Sequence, residues 1–461
     1  MSLRVTVETM KNENNCTAGC LLNPPPRPDW LAPYQRLSLK ALNTALREVP
    51  GYASWRRFDP GPQATLDERY AALPALTKQD LREHFPSGFM PRGNDLEKGL
   101  SAGAVEFAQT SGSTSDRVTL VFNRSWWEAS ERAAWKLNLH ANRVADGRHR
   151  EVVLASPRCV GPGFSPKPLT VAERTIGRHL YVNQKIDSAS WTSRGVRQMV
   201  KEINDYAPLA LEGDPAYLAA FARRIAELDI EVCQPRLIFL TYSYPSRIYL
   251  RQIRNVFTAP LVSSYGSTET GHVFMECEAG RLHQNIEHCR VDFLPWLPRY
   301  GGPQLGRMLV TVFHNPWFMV LRFEIGDVAR LDERGPCPCG RDQGLTLAAI
   351  EGRLADVTFS GTGRVVTVDD LDCLLAEIPE LDGWQLELPR PGTLQLRILT
   401  GSGDAAKSRR HCLELLRNLY GNGCKVEITV AKALRRELSG KIRFTRATFP
   451  VDHTLLWQRQ G

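Results

Sequence analysis

No stretch of this 461-residue chain approaches the ~18 consecutive apolar residues that a membrane-spanning helix needs, so no membrane partner is expected. The first thirty residues lack the apolar run of a signal peptide and carry Lys11, Glu13 and Asn14 instead, which makes the cytoplasm the expected address. A Gly-x4-Gly-Lys-Ser/Thr loop is missing, which excludes the P-loop route to nucleotide binding. Missing too is any interleaved basic and aromatic stripe of the kind that tracks a phosphate backbone, so nucleic acid is not an expected partner. No repeat recurs at roughly 20 to 50 residues, which excludes a solenoid. The cysteines number eleven, odd and scattered, which argues against a disulfide framework and leaves metal binding or ordinary burial.

What is present is globular. Apolar residues make up 43% of the chain, more than a surface can absorb, and the length exceeds what one hydrophobic core usually sustains. The 58 Lys and Arg outnumber the 50 Asp and Glu for a net charge of +8, but they are dispersed. That distribution favours anionic small molecules such as nucleotides as partners.

Residues 1 to 30 read as a polar arm ending in Pro24-Pro25-Pro26, which cannot form a regular helix. Short amphipathic helical segments follow to about residue 100. From 118 the pattern becomes strand and helix in alternation. Val118 to Phe122 is a strand, and Ser125-x-x-Glu128 supplies a capping box for a helix running to about His140. Strands at 151–155, 209–211, 236–241 and 261–262 alternate with helices at 193–206, 215–228 and from Pro245, with Asp214-Pro215 as cap and first helical residue. This alternation predicts an α/β fold with parallel strands. Beyond about 300 the strands 306–313 and 321–330 follow without long helices, which predicts a second, more antiparallel sheet. After Gly352-Arg353 come a helix (369–377), strands (384–389, 394–399), a helix (405–419) and a strand (425–430). The expectation is therefore a large N-terminal domain of mixed and parallel sheets with flanking helices, residues 1–354, followed by a small mobile α+β domain, residues 355–461.

Five loops carry residues suited to chemistry. Gln109 to Arg117 is rich in hydroxyls around Gly112 and can cradle phosphate oxygens, or it is simply a polar turn. Ser264-Tyr-Gly-Ser-Thr-Glu-Thr270 places an aromatic ring and a carboxylate after an apolar strand, where they can serve a base and a metal, or be a capped turn with a solvated Glu. Arg322 to Asp327 puts a carboxylate after a glycine, within reach of ribose hydroxyls. Glu351-Gly-Arg353 and Leu438-Ser-Gly-Lys441 each set one cation beside a glycine, where a solvated surface charge is the alternative. A sixth feature, Cys277-x5-His283 with Cys337-x-Cys339, makes a three-Cys, one-His set suited to a closed tetrahedral Zn²⁺, with separate burial as the alternative.

In this order, over about residues 105 to 445, these motifs resemble the adenylate-forming superfamily of acyl-CoA synthetases, adenylation domains and luciferases. The cysteine pattern resembles its phenylacetate-CoA ligase-like branch. The resemblance implies an ATP- and Mg²⁺-dependent ligase that converts an aromatic carboxylic acid to acyl-AMP and then transfers the acyl group to CoA. The alternatives are transfer to an amine, as in an amide synthetase, or to a carrier-protein thiol. It implies phosphate contacts from Thr110, Ser111, Ser113 and Thr114, and further nucleotide contacts from Tyr242. Tyr265 would stack on adenine, Thr268 would touch phosphate and Glu269 would bind Mg²⁺. Asp327 would take the ribose hydroxyls, assisted by Arg353, and Lys441 would bridge the carboxylate and α-phosphate. Zn²⁺ on Cys277, His283, Cys337 and Cys339 would be structural, and a homodimer is compatible with the resemblance.

The chain departs from the family pattern in three places. Ser115 and Arg117 stand where Gly and Lys usually continue the phosphate loop. Tyr242-Ser-Tyr244-Pro245 replaces Gly-x-Glu-Pro, removing a carboxylate beside the acyl site. Ala355 occupies the usual Asp or Lys hinge position, with Asp356 after it.

Overall fold

The structure, a computed structural model, describes residues 29–110, 117–401 and 404–458. The proline-rich arm and Ser111, Ser113, Thr114 and Ser115 of the hydroxyl-rich loop lie outside the described residues.

A twelve-stranded sheet organises the described residues up to Arg353. Strands Glu151–Leu154, His179–Tyr181, Ala210–Gly213, Leu237–Leu240 and Leu261–Ser267 form its parallel part. These strands are largely apolar, with helices covering both faces and the polar exceptions Glu151, His179 and Glu212. Ser193–Tyr206, Pro215–Leu228 and Arg247–Arg254 pack one side, and Arg124–Trp135 packs the other. As the sequence predicts, Asp214 caps the second of these helices, accepting from the Ala216 amide at 2.8 Å ahead of Pro215.

Strand Leu261–Ser267 changes partner along its length. Its first residues run parallel to Leu237–Leu240, while Ser264 to Ser267 pair antiparallel with Gly271–Glu276. Every strand from Gly271 to Arg353 is antiparallel to its neighbours, so the expected second sheet exists as an antiparallel extension of the first. The helix expected to run to His140 ends at Trp135. Asn138 stops it by taking the amides of His140 and Ala141 on its side-chain oxygen while donating to the Glu276 carbonyl. Its cap is Asn123, which accepts from the Trp126 amide at 2.8 Å; the Ser125 hydroxyl is spent on Asn123 and forms no capping box.

Beyond Val365 lies a smaller α+β unit. Its four strands are ordered Lys425–Val430, Thr393–Thr400, Leu381–Arg390 and Thr445–Ala447, with helices Val368–Leu375 and Ala405–Tyr420. It packs on the larger part through helix Arg247–Arg254. Arg251 donates to the carbonyls of Ala376, Pro379 and Leu381 at 2.9 to 3.1 Å, and Arg247 pairs with Asp369 at 2.7 Å. Tyr244, read as a change beside the acyl site, sends its hydroxyl to Asp369 at 2.6 Å and so belongs to this joint. One continuous apolar core crosses it, joining Ile248, Tyr249 and Ile253 to Leu371, Trp384 and Phe444. Among the described residues no helix is long and apolar enough to cross a membrane.

Candidate active site

The residues singled out from sequence gather where the parallel strands end and the small unit touches the large one. Tyr265 sits just past the partner change in strand Leu261–Ser267, opposite Phe274. Its hydroxyl donates to Asp327 Oδ2 at 2.8 Å. Asp327 is the cross-strand neighbour of Arg353, whose Nε stands 4.0 Å from Oδ1. Burial raises the Asp327 pKa, while Arg353 and the Tyr265 hydroxyl pull it back. Thr268 and Glu269 occupy the turn that follows the strand, with Thr268 half-buried and Glu269 only 4% exposed.

Lys441 arrives from the small unit on a tight loop. Gly440 donates to the Glu437 carbonyl and Glu437 to that of Lys441, with Gly440 at φ +89°. A Cβ there would lie 2.5 Å from Ser156 Oγ and 2.6 Å from the Tyr217 hydroxyl, so both the backbone angle and the close approach demand glycine. Arg158 donates to the Leu438 carbonyl at 3.0 Å, the Cys159 thiol to that of Ser439 at 3.4 Å, and the Tyr217 hydroxyl to that of Gly440 at 3.3 Å. Burial lowers the Lys441 pKa; Cys159, Asp214 and Asp327 stand around the ammonium and oppose that shift. Two carboxylates, Asp214 and Asp327, and the Arg353 guanidinium thus lie near enough to act electrostatically on this cation, without an ion pair to it.

Other expected contacts lie at the edges of this group. Thr110 accepts from the Val118 amide at 3.0 Å, closing the neck of the hydroxyl-rich loop. Tyr242 has φ +71° and its phenol reaches Glu212; burial first, and that carboxyl second, raise its pKa. His272 bonds Ser264 through Nδ1 at 2.9 Å and meets Trp127 edge-on, and burial lowers its pKa to about 4. Trp126 and Trp135 are core, as their helical spacing suggests.

The sequence reading missed several groups here. Asp214 reads from the sequence only as a helix cap, although the end of a parallel strand is where α/β folds place ligand groups. Beneath Tyr242 lies a buried network in which Arg178 stands 3.2 Å from Glu131 and 3.5 Å from Glu151. Glu151 hydrogen-bonds to Glu212, and Glu212 accepts from Thr241 at 3.0 Å.

The four candidate metal ligands converge. Their donor atoms all lie within 4.8 Å of one another, with Cys277 Sγ 3.7 Å from Cys337 Sγ and Cys339 Sγ 3.3 Å from His283 Nε2. Tetrahedral Zn²⁺ with Zn–S bonds of about 2.3 Å needs S···S separations of roughly 3.7 Å, so the set fits that ion. The Thr346 hydroxyl lies 3.4 Å from the other ring nitrogen of His283, where a hydrogen bond would fix the tautomer that presents Nε2 to a metal. Cys289, close to the set in sequence, instead donates to the Asn285 carbonyl at 3.5 Å.

No family model and no curated protein matches the sequence. Solved structures do match. A 2-hydroxyisobutyryl-CoA ligase in the postadenylation state with 2-HIB-AMP aligns over 92% of this chain and 90% of its own, at 17% identity and TM-score 0.67. The same ligase with 2-HIB-AMP and CoA aligns at 18% identity in an open conformation (93% and 96% covered, TM-score 0.55) and in its thioesterification state (91% and 90%, TM-score 0.53). At such identity the likeness establishes architecture: the chain has the fold of these adenylate-forming CoA ligases.

Proposed function

We propose that this chain is an AMP-forming acid–thiol ligase that activates a carboxylic acid, aromatic by the sequence reading, as acyl-AMP and passes the acyl group to CoA. The observation that carries this is the docking of the small unit's Lys441 loop onto Arg158, Cys159 and Tyr217 of the large unit, with Asp214, Asp327 and Arg353 near enough to act on the ammonium. An acid attacking the α-phosphate builds negative charge at phosphorus. A desolvated ammonium held at that point stabilises the charge far better than one in water. In this reading Lys441 bridges the acid and the α-phosphate, and Asp327 takes the ribose hydroxyls with Arg353 beside it. Tyr265 and Tyr242 border the nucleotide. Thr110, with Ser111, Ser113 and Thr114, serves the phosphates together with Thr268.

Glu269 would hold Mg²⁺, which supplies charge neutralisation at the phosphates. Cys277, His283, Cys337 and Cys339 would hold a structural Zn²⁺ that ties the hairpin around Gly280 to the loop before Thr346. The closed four-ligand set leaves no open position for substrate.

The small unit, from residue 355 onward, acts as a lid. It excludes water while Lys441 is in place and moves to admit the acceptor. ATP–pyrophosphate exchange with a panel of aromatic and short aliphatic acids tests the first step. Exchange dependent on one class of acid is expected, and none with any acid overturns the reading. Supplying CoA or candidate amines to the activated enzyme then separates thioester from amide formation.

A further inference from the structure

The sheet face beneath helix Arg124–Trp135 changes character along its strands. Ala210, Phe239 and Val262 pack there with Trp135 as ordinary core. Side chains two residues apart on a strand share a face, so Glu212, Thr241 and Ser264 continue the same surface with polar groups. The helix answers with Trp127 and Glu131, four residues apart and therefore on one side of it. Trp127 meets His272 with ring centroids 4.9 Å apart, and Glu131 stands 3.2 Å from Arg178. Glu212, Thr241, Ser264, Trp127, Glu131 and His272 all stay partly exposed between a helix and a sheet, where apolar burial is the rule. They border a cleft, and the next residue of this face after Glu212 is Asp214, beside the Lys441 ammonium.

The cleft has unused hydrogen-bonding capacity. Ser264 engages His272 Nδ1 at 2.9 Å, while Nε2 of that ring is buried with no hydrogen-bond partner among the described residues. Glu212 is bonded by the Thr241 hydroxyl at 3.0 Å, by the Tyr242 phenol and by the Glu151 carboxyl. A carboxylate offers about four acceptor positions, so one stays open to an incoming donor. Charge is unbalanced as well, because Glu131, Glu151 and Glu212 all act on the single guanidinium of Arg178. A hydroxyl on a ligand would fill the open position and leave that excess in place. A protonated amine fills the position and offsets the charge.

We propose that this cleft holds the acyl part of the acid and selects an acid carrying a protonated amine, which pairs with Glu212. The proposal rests on the ligase reading above, in which the acid's carboxylate meets Lys441. Glu212 lies two strand residues from Asp214, about 7 Å at the usual rise per residue, and that spacing sets the distance from carboxylate to amine. A benzene ring or a short alkyl chain spans it, and the Trp127 indole offers either an apolar wall.

Pyrophosphate exchange by the full chain tests the charge with two matched pairs: 4-(aminomethyl)benzoate against 4-ethylbenzoate, and 6-aminohexanoate against heptanoate. In at least one pair the wild type should prefer the amine about tenfold or more in kcat/KM. Glu212→Gln should reverse that preference, lowering kcat/KM for the amine about tenfold to a hundredfold and raising it for the neutral acid, as loss of one hydrogen bond to a charged group does. Glu212→Asp, which keeps the charge, should retain the preference. Exchange confined to acids without an amine, or a preference carried unchanged into Glu212→Gln, overturns the assignment and leaves the ligase reading standing. Absent exchange with every acid overturns the ligase reading instead. Calorimetric titration of 4-(aminomethyl)benzoate and 6-aminohexanoate then decides the cleft by itself: tighter binding by wild type than by Glu212→Gln supports it, and equal or absent binding overturns it.

Discussion

The hydroxyl of Tyr265 donates to the carboxylate of Asp327 across 2.8 Å, joining the strand that ends the parallel part of the sheet to one well inside its antiparallel extension. In the ligase reading this bond aims Asp327 at a ribose while the ring borders the base. Tyr265→Phe keeps the ring and deletes the donor to a half-buried carboxylate. A hydrogen bond to a charged group contributes about 1.5–3 kcal/mol, so the KM for ATP should rise at least tenfold, with the acid KM little changed. Initial rates of pyrophosphate exchange against ATP concentration check this, and an unaltered ATP KM would detach the pair from nucleotide binding.

Lys441 makes its contribution through charge at one point. Lys441→Ala should reduce acyl-AMP formation by roughly 10²–10³-fold, the usual loss for one preorganised electrostatic contact. The unit that carries it is anchored elsewhere, by Arg251 on four carbonyls and by Arg247 on Asp369, so the melting temperature should hold. Exchange at near wild-type rate in a folded variant would remove Lys441 from the reaction.

How far these features were legible in the sequence depends on the range of the forces that set them. Helices Pro215–Leu228 and Ala405–Tyr420 and strand Lys425–Val430 sit where local pattern places them, because Asp214 and Asp404 cap from within the same segment. The end of the helix at Trp135 was not legible, since Asn138 stops it through a bond to Glu276 across the fold. Nor was the joining of the two sheets, which depends on strand Leu261–Ser267 exchanging partners midway. The motif residues stand out because each sets a polar, charged or aromatic side chain beside a glycine or small residue in a loop. Asp214, Cys159 and the cleft at Glu212 do not, because their meaning arises only when distant strands and loops are brought together.

The Cys and His set makes a metal prediction. Freshly purified protein should contain about one zinc per chain, and Cys337→Ser should abolish that stoichiometry. Zinc here would tie a hairpin to a distant loop, so its removal should act on stability, with each kcal/mol lost lowering Tm by about 1 °C in a chain of this size. Chelation should lower Tm without competing with ATP or acid. Metal analysis finding well under one equivalent, or chelator inhibition competitive with substrate, would contradict a structural role.

The last prediction concerns pH and the carboxyls beneath Tyr242. Burial pushes the Glu151 pKa up to about 7 and that of Glu212 to about 8, and the neighbouring carboxyls add to both shifts. Facing them are Glu131, Arg178, Tyr181 and Tyr242, with His149 and His179 each lowered to about 4 by burial and by Arg178, hence neutral. Three carboxyls therefore meet one guanidinium, and the excess is relieved by keeping a proton on the Glu151–Glu212 pair. The folded state binds protons that the unfolded chain releases near its ordinary carboxylate pKa. Stability from this pair is thus complete below the ordinary carboxyl pKa near 4.5 and is lost progressively as pH rises to the folded values, so the wild-type Tm should fall between about pH 5 and 8. Glu212→Gln keeps the hydrogen-bonding shape without the ionisation. It should flatten that decline and raise Tm most at the alkaline end, where the wild type must bury an extra charge. Melting curves of both proteins across this range read the outcome directly. Parallel declines in wild type and variant would show that the pair is ionised and compensated in the folded chain, and would exclude the shared proton.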